Sequence, residues 1–456
     1  MRHTVQRQLS LSPACVDHVH ARELEEIDRV LDALPNAVAL IHADLLVLDG
    51  ERIDAECGRD AMTSEQVLRA LVVKQMRSFS YQELSFHLAD SITYRWFCRI
   101  GMDRDPPSKS TLQRNVKRVQ VKTWRAINQM LIAYAEATGI ERGEKVRSDC
   151  TVVKSNIHHP TDSRLLWDCV RTLVRLMKQA KEEFGLKFRN HARRAKRRAH
   201  GISNAKSKNR APLYRDLIHV TEATIAESTR IADELGGIES MTSIGAARVR
   251  GLSSSLRHYL KLTKRVIDQT QRRVFGGESV PATEKVVSIF QPHTDIIIKD
   301  QRETFYGHKI CLTTGASGLV TDVVVEKGNP CDSTLAVRMI KRQRKIYGKI
   351  PRQATFDGGF ASQANLAAIK KLGVEDVAFA KRCGLQIADM VKDTVVYRML
   401  KNFRAGIEAT ISFLKRVFGL ARCTWSGLRS FKAYVVSSVL ACNLLTVARH
   451  RLKAAA

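Results

Sequence analysis

The sequence predicts an α/β protein, with a mixed sheet covered by helices, a long helical insertion within it and a helical region ahead of it. Three observations carry this. Apolar residues recur at helical spacing up to about residue 140. Strand-like alternation appears at Val146, Cys150 and Val152 against Arg147, Asp149 and Thr151, and strand signals return after Glu284. Between these two strand regions, from about 163 to 280, the pattern is helical and strongly basic.

The elements follow in order. Residues 1–50 read as a short helical leader. Thr63-Ser-Glu-Gln66 is a capping box that opens the apolar run Val67, Leu68, Leu71, Val72, and Ser80-Tyr-Gln-Glu83 repeats the device before Leu84 and Leu88. Pro106-Pro107 breaks the chain, and Ser110-Thr-Leu-Gln113 is expected to open one long helix through Val116, Trp124, Ile127 and Leu131. Residues 51–140 thus read as a helical domain. It is either a helix-turn-helix-like DNA-binding unit or a bundle used for dimerisation.

After the first strand, residues 163–285 form the helical insertion. Lys309–Thr314 and Leu319–Val325 flank Gly315-Ala-Ser-Gly318, a hairpin turn. Thr334–Tyr347 reads as a basic helix, Arg352–Phe356 as a strand ending at Asp357-Gly358-Gly359, Leu366–Leu372 as a helix and Val377–Ala380 as a strand. A helix carrying Glu408 follows, and Leu428–Leu452 closes the chain as a long apolar helix.

Composition narrows the function. The 456 residues carry a formal net charge of +29, which implies a polyanionic partner, nucleic acid above all. The densest basic run, Leu186–Asp216, contains Arg193, Arg194, Lys196, Arg197 and Arg198, which are expected to meet the phosphate backbone. The ten cysteines include no C-x-x-C pair and no zinc spacing with histidine, so they read as reduced thiols of a cytoplasmic protein. No apolar leader marks a signal peptide. The most apolar stretch, Ala433–Ala448, is shorter than the ~20 residues of a membrane span and carries Ser437, Ser438 and Asn443, so it is expected to be a buried helix and no membrane is implied.

Three acids stand out by context. Asp149 lies within a strand, Asp357 ends another before two glycines, and Glu408 sits on a helix with Arg404 one turn before it and Lys415 two turns after. Phe403, Ile407, Ile411, Leu414 and Phe418 form that helix's apolar stripe. Strand-borne acids can meet at one sheet edge and a packed helix can add the third. Three oxygen ligands suit Mg²⁺ or Mn²⁺, and two such ions can serve an in-line displacement at phosphorus. The plain alternative is an Arg404–Glu408 salt bridge on a half-exposed helix.

In these segments the chain resembles the bacterial insertion-sequence DDE transposases with an InsH-type N-terminal domain, the ISNCY type in particular. The resemblance rests on Met62-Thr-Ser-Glu-Gln-Val-Leu-Arg69 and Ser110-Thr-Leu-Gln113, then on Asp149-Cys-Thr-Val-Val-Lys154 running on to His158-His-Pro-Thr-Asp162-Ser163. It also rests on Tyr306-Gly-His-Lys309, Gly328-Asn-Pro-Cys-Asp332, Phe356-Asp357-Gly-Gly-Phe360 and Arg404-x3-Glu408-x6-Lys415. It implies a ribonuclease H-like core over 141–456, with Asp149, Asp357 and Glu408 as a triad that binds two Mg²⁺ or Mn²⁺ ions. It also implies cleavage at element ends and joining of the 3′-OH to target DNA. The partners would be double-stranded DNA, as terminal inverted repeats and target, and a second copy of the chain, since two ends must be synapsed. The expected location is cytoplasmic and nucleoid-associated. Where the family signature has a tyrosine this chain has Lys401, which can still reach a phosphate. Arg404, Lys415, Lys401, Lys154 and Lys309 are taken as DNA contacts, and His158, His159 and His308 as packing or outer residues. A binding-only derivative and an endonuclease without strand transfer are the alternatives.

Overall fold

A computed structural model describes residues 4, 17–48, 51–52, 54, 61–238, 242–299, 303–381 and 383–455. Most of the first sixteen residues of the predicted leader, and Cys15 and Cys57, therefore lie outside the described residues. The fold is α/β, with a ribonuclease H-like mixed sheet and a helical N-terminal region. The chain divides into two compact units, one formed by 1–154 with 308–456 and the other by 155–307.

The N-terminal part of the first unit contains α1 (Val19–Asp32), α2 (Pro35–Leu45), α3 (Ser64–Met76), α4 (Tyr81–Asp90), α5 (Ile92–Phe97), α6 (Lys109–Arg118) and α7 (Val121–Ala137). Two-residue strands β1 (Val47–Leu48) and β2 (Glu51–Arg52) pair antiparallel, the one departure from helix among the described strands and helices of this region. Both expected capping boxes form. Thr63 and Gln66 exchange hydrogen bonds at the start of α3, and Ser80 and Glu83 do so at α4. The single long helix expected from Ser110 is two. Its cap is Ser108, whose hydroxyl accepts from the Thr111 N–H, and the chain extends at Val119–Gln120 before α7. The Gln120 N–H freed by that break donates to the Asp44 carboxylate at 2.7 Å, so the interruption leaves no orphan donor there.

Next comes β3 (Lys145–Ser155). The second unit then packs α8 (Asp162–Phe184), α9 (Ala192–Asn204), α10 (Arg210–Gly236) and α11 (Ser243–Val274) around their own apolar core, centred on Leu166, Leu173, Met177, Leu217, Ile231 and Leu256. Thr161, one residue before α8, is its N-cap; Asp162 opens the first turn and is gripped by Arg273 from α11. In this unit β4 (Asp295–Lys299) pairs antiparallel with the start of β5 (Glu303–Thr314).

Back in the first unit, β5 runs on into the predicted hairpin with β6 (Val320–Val325). The buried Glu141 carboxylate receives the Ser317 N–H and hydroxyl at the turn. It lies so close that a Cβ on Gly315 would fall 2.1 Å from Glu141 Oε2, which is why the turn needs glycine there. Then follow α12 (Ala336–Tyr347), β7 (Gln353–Phe356), α13 (Gln363–Lys371), β8 (Asp376–Phe379), α14 (Ile387–Met390), α15 (Thr394–Arg416), β9 (Arg422–Cys423) and α16 (Leu428–Ala455). The sheet runs β5-β3-β7-β8, with β6 on β5 and β9 on β3. The β3–β7 and β7–β8 pairs are parallel and β5–β6 is antiparallel.

Helix α16 is long and apolar enough to cross a membrane by length and composition, but almost all of its apolar stretch is buried inside the protein. It packs on α1, α3, α7 and β6, and its polar residues are spent on protein partners. The Asn443 amide pairs with both the N–H and the carbonyl of Val320 at 2.8 Å, and Ser437 and Ser438 receive the Gln75 amide. These partners remove the penalty that buried amide and hydroxyl groups otherwise carry.

Candidate active site

The parallel ladder of β3 and β7 sets Lys145 against Gln353 and ends with Ser148 against Phe356. The next residue on each strand is Asp149 or Asp357. The two acids therefore emerge side by side where the strands part, one strand spacing of about 5 Å between their backbones. The Cys150 N–H donates to Asp149 Oδ1 at 2.7 Å and fixes that carboxylate. Beyond Asp357 the chain makes a 3-10 turn, Gly358–Phe360. The glycines serve close approach here: a Cβ on Gly358 would lie 2.8 Å from Lys381 Cβ, and one on Gly359 3.2 Å from Asp332 Oδ2.

Glu408 arrives on α15. Asp393 caps this helix by accepting from the Val396 N–H, Tyr397 donates its hydroxyl to the Phe379 carbonyl at the end of β8, and Ile407 and Leu414 are fully buried. Arg147, two residues before Asp149, ties the helix to β3. Its guanidinium donates to Thr314 Oγ1 at 2.8 Å and to the Phe403 carbonyl at 2.6 Å, and lies 4.5 Å from the centre of the Phe403 ring. A Cβ on Gly406 would fall 2.0 Å from Arg147 Nη1. The glycine in the middle of the helix is the space that Arg147 occupies. Sequence reasoning passed over Arg147, and the one signal for it was that helical glycine, costly unless something packs against it.

The three acids meet on one side chain. Arg404 Nη2 is 2.8 Å from Asp357 Oδ1 and 3.5 Å from Asp149 Oδ2, while its Nη1 donates to Glu408 Oε1 at 2.8 Å. The salt bridge expected as the plain alternative is thus present, and it is part of a larger convergence. Asp332 is a fourth acid nearby, lying against Gly359 and paired with Lys309, whose ammonium also donates to the Pro330 carbonyl at 2.7 Å. Burial pushes the Asp149 carboxyl up to about 6. The negative charges of Asp357 and Asp332 act in the same direction, against the Cys150 N–H and Arg404.

Among the described residues no trio of acid, histidine or cysteine side chains already forms a metal cage. The donor chemistry nevertheless fits a hard divalent cation. Three carboxylates from three elements surround a single positive group, and the guanidinium stands where such a cation would neutralise them. The buried Nε–H of Arg404 has no hydrogen-bond partner, an orphan donor beside the acids.

The remaining predicted contacts are more scattered. Lys401 is exposed on α15, Lys415 is half-buried near its end, and Lys154 is exposed near the end of β3. Lys309 is engaged with Asp332, as above. On α9, Arg193, Lys196 and Arg197 are exposed, whereas Arg194 and Arg198 both bind the Asp216 carboxylate. Those two charges are therefore partly neutralised within the helical unit. His159 meets the Tyr306 ring edge-on, and His308 is buried against Phe431. Trp425 is buried, stacked near Tyr81 and edge-on to Tyr434.

Two family models match the chain. The transposase DDE domain matches residues 261–444, which include Asp357, Arg404 and Glu408, and a transposase domain (DUF772) matches residues 17–118. Comparison with curated proteins and with solved structures gives no match. With both transposase domains present in order and the expected mixed sheet in place, the chain belongs to the insertion-sequence DDE transposases.

Proposed function

We propose that this transposase cuts phosphodiesters at the ends of its element and joins the freed 3′-OH to target DNA, with Asp149, Asp357 and Glu408 as the catalytic acids. The observation that carries the reading is the meeting of these three side chains, from two parallel strands and a helix, on the Arg404 guanidinium. Asp149, Asp357 and Glu408 would hold Mg²⁺ or Mn²⁺, and two such ions would supply Lewis acidity at the attacking and leaving oxygens. The protein's own groups do the rest. The Arg404 guanidinium, which borders all three acids, would donate to a non-bridging phosphate oxygen, a charge-assisted contact that orients the scissile group. Arg147 and Gly406 hold α15 in register with β3, so that Glu408 faces the two strand acids. Lys309 fixes Asp332 at the edge of the site. Lys401 and Lys415 flank the site along α15 as phosphate contacts, and Lys154 extends the basic surface from β3.

The same reading assigns residues 51–140 to DNA binding or dimerisation, 141–456 to catalysis with its helical insertion at 163–285, and residues 1–50 to a leader. It places a homodimer on paired inverted repeats in the bacterial cytoplasm, at the nucleoid. The ISNCY-like subtype is part of the proposal. The test is a supercoiled donor carrying the cognate ends, incubated with purified protein and Mg²⁺. Joined products are expected. Binding without cuts, or cuts without joining, would replace the proposal with one of its alternatives. Asp357→Ala should abolish cleavage and leave end binding largely intact, and unchanged cleavage would refute the assignment of the acids.

A further inference from the structure

The helical unit contains a groove that none of this chemistry uses. Its walls are two stripes of the same spacing, Arg164, Trp167, Asp168 and Arg171 on α8 and Lys196, Ala199, His200 and Ser203 on α9, with His158 at one end. Positions i, i+3, i+4 and i+7 share one helix face, so each stripe presents all its members to the gap. Ala199 and Ser203 are small, which leaves a space of about 460 Å³. The charges are unbalanced: Arg164, Arg171 and Lys196 face one acid, Asp168, and that acid is bound to Arg171 at 2.7 Å. Trp167 is half-buried in this wall: part of its indole packs against the core of the unit and the rest borders the groove.

We propose that this groove is a subsite for one unpaired nucleotide of a DNA strand. The phosphate would be held by Arg164 and Lys196 at the rim, and the base would lie against the Trp167 indole. The volume is that of a small-ligand site and cannot admit a duplex. Rim cations alone would serve any phosphate backbone, but an aromatic wall between them adds a surface on which an unstacked base gains contact. The inference rests on the DNA-processing reading and goes beyond it, because the groove lies wholly within residues 158–203 and includes no member of the acid cluster.

The test compares binding of a blunt duplex and of the same duplex with a short single-stranded tail, by fluorescence anisotropy. In the unmodified chain the tail should tighten binding about tenfold, the scale of one stacked base. Trp167→Ala should remove that gain, and Trp167→Phe should keep most of it because a ring remains. Arg164→Gln with Lys196→Gln, both exposed and so free of folding cost, should also remove it. A tail that gives no gain in the unmodified chain overturns the proposal. So does a gain that survives these changes, or an equal loss on blunt and tailed DNA, which would mean general charge attraction only. Cleavage of the supercoiled donor is measured alongside. Normal cleavage without a tail effect removes the subsite alone, whereas absence of both cleavage and DNA binding removes the reading beneath it.

Discussion

Replacing Arg404 with Gln separates the two things its guanidinium does. In the metal-free protein it compensates three carboxylates, but unequally. Asp149 is 14% exposed and its contact is 3.5 Å long, Asp357 is 42% exposed and Glu408 63%. A buried charge-assisted contact contributes roughly 1.5–3 kcal/mol and an exposed pair about 0–1 kcal/mol. Discounted for solvent, the three contacts together contribute about 2 kcal/mol. The variant should therefore unfold more easily in EDTA by about that amount, seen as a lower urea midpoint at unchanged slope. A divalent cation reverses the comparison. If the three acids hold the metal as proposed, it would have to displace the guanidinium in the native chain and not in the variant. The same ~2 kcal/mol then appears as tighter Mn²⁺ binding, about 30-fold in Kd, measured by calorimetry or by the free-Mn²⁺ electron paramagnetic resonance signal. Strand cleavage should nevertheless fall, because the phosphate contact is lost. A variant that binds Mn²⁺ equally well or more weakly would refute the idea that Arg404 occupies the cation's place.

Three further outcomes are expected. Burial and the neighbouring acids hold the Asp149 carboxyl at about 6 in the metal-free fold. The native state thus keeps a proton that the unfolded chain sheds near pH 4, and this stabilisation is lost as pH rises toward 6. Metal must displace the same proton, so Mn²⁺ affinity should fall about tenfold per pH unit below 6, and Asp149→Asn should abolish that slope. Gly406→Ala should push Arg147 off the Phe403 carbonyl and cost about 1–3 kcal/mol through the lost buried contact. Adding Arg147→Ala should cost little more than either change alone, and additive losses in a double-mutant cycle would refute the coupling. Lys74 is buried with its ammonium 4.9 Å from the Tyr81 ring centre, and burial pulls it down to about 8. Its charged form is therefore disfavoured in the fold, and stability should increase from pH 8 toward 10 through this group. Lys74→Met should remove that gain and stabilise the protein at pH 7, as thermal unfolding across pH would show.

Much of this molecule was legible in its residues because the signals were local. A hydroxyl followed three residues later by Glu or Gln marks a helix start wherever it folds, and Thr63 and Ser80 did so. Alternation marked β3, glycines marked the β5–β6 turn, and Asp357 stood out by its place at a strand end. Ser110 misled because Ser108 and Thr111 lie within the same turn, and the break at Val119–Gln120 depends on Asp44, 76 residues away.

What folding alone decided lies between elements. No spacing rule brings Arg404 onto Asp149 and Asp357, since that contact needs α15 to cross the ends of β3 and β7. The role of Gly406 is visible only once Arg147 fills the space above it. Arg194 and Arg198 read as free cations until α10 presents Asp216. Propensity, capping and alternation act over a few residues, so the chain itself specified the elements and the acids they carry. Charge compensation depends on through-space distance, so only the packed structure determined which of those charges are spent on each other and which remain for DNA.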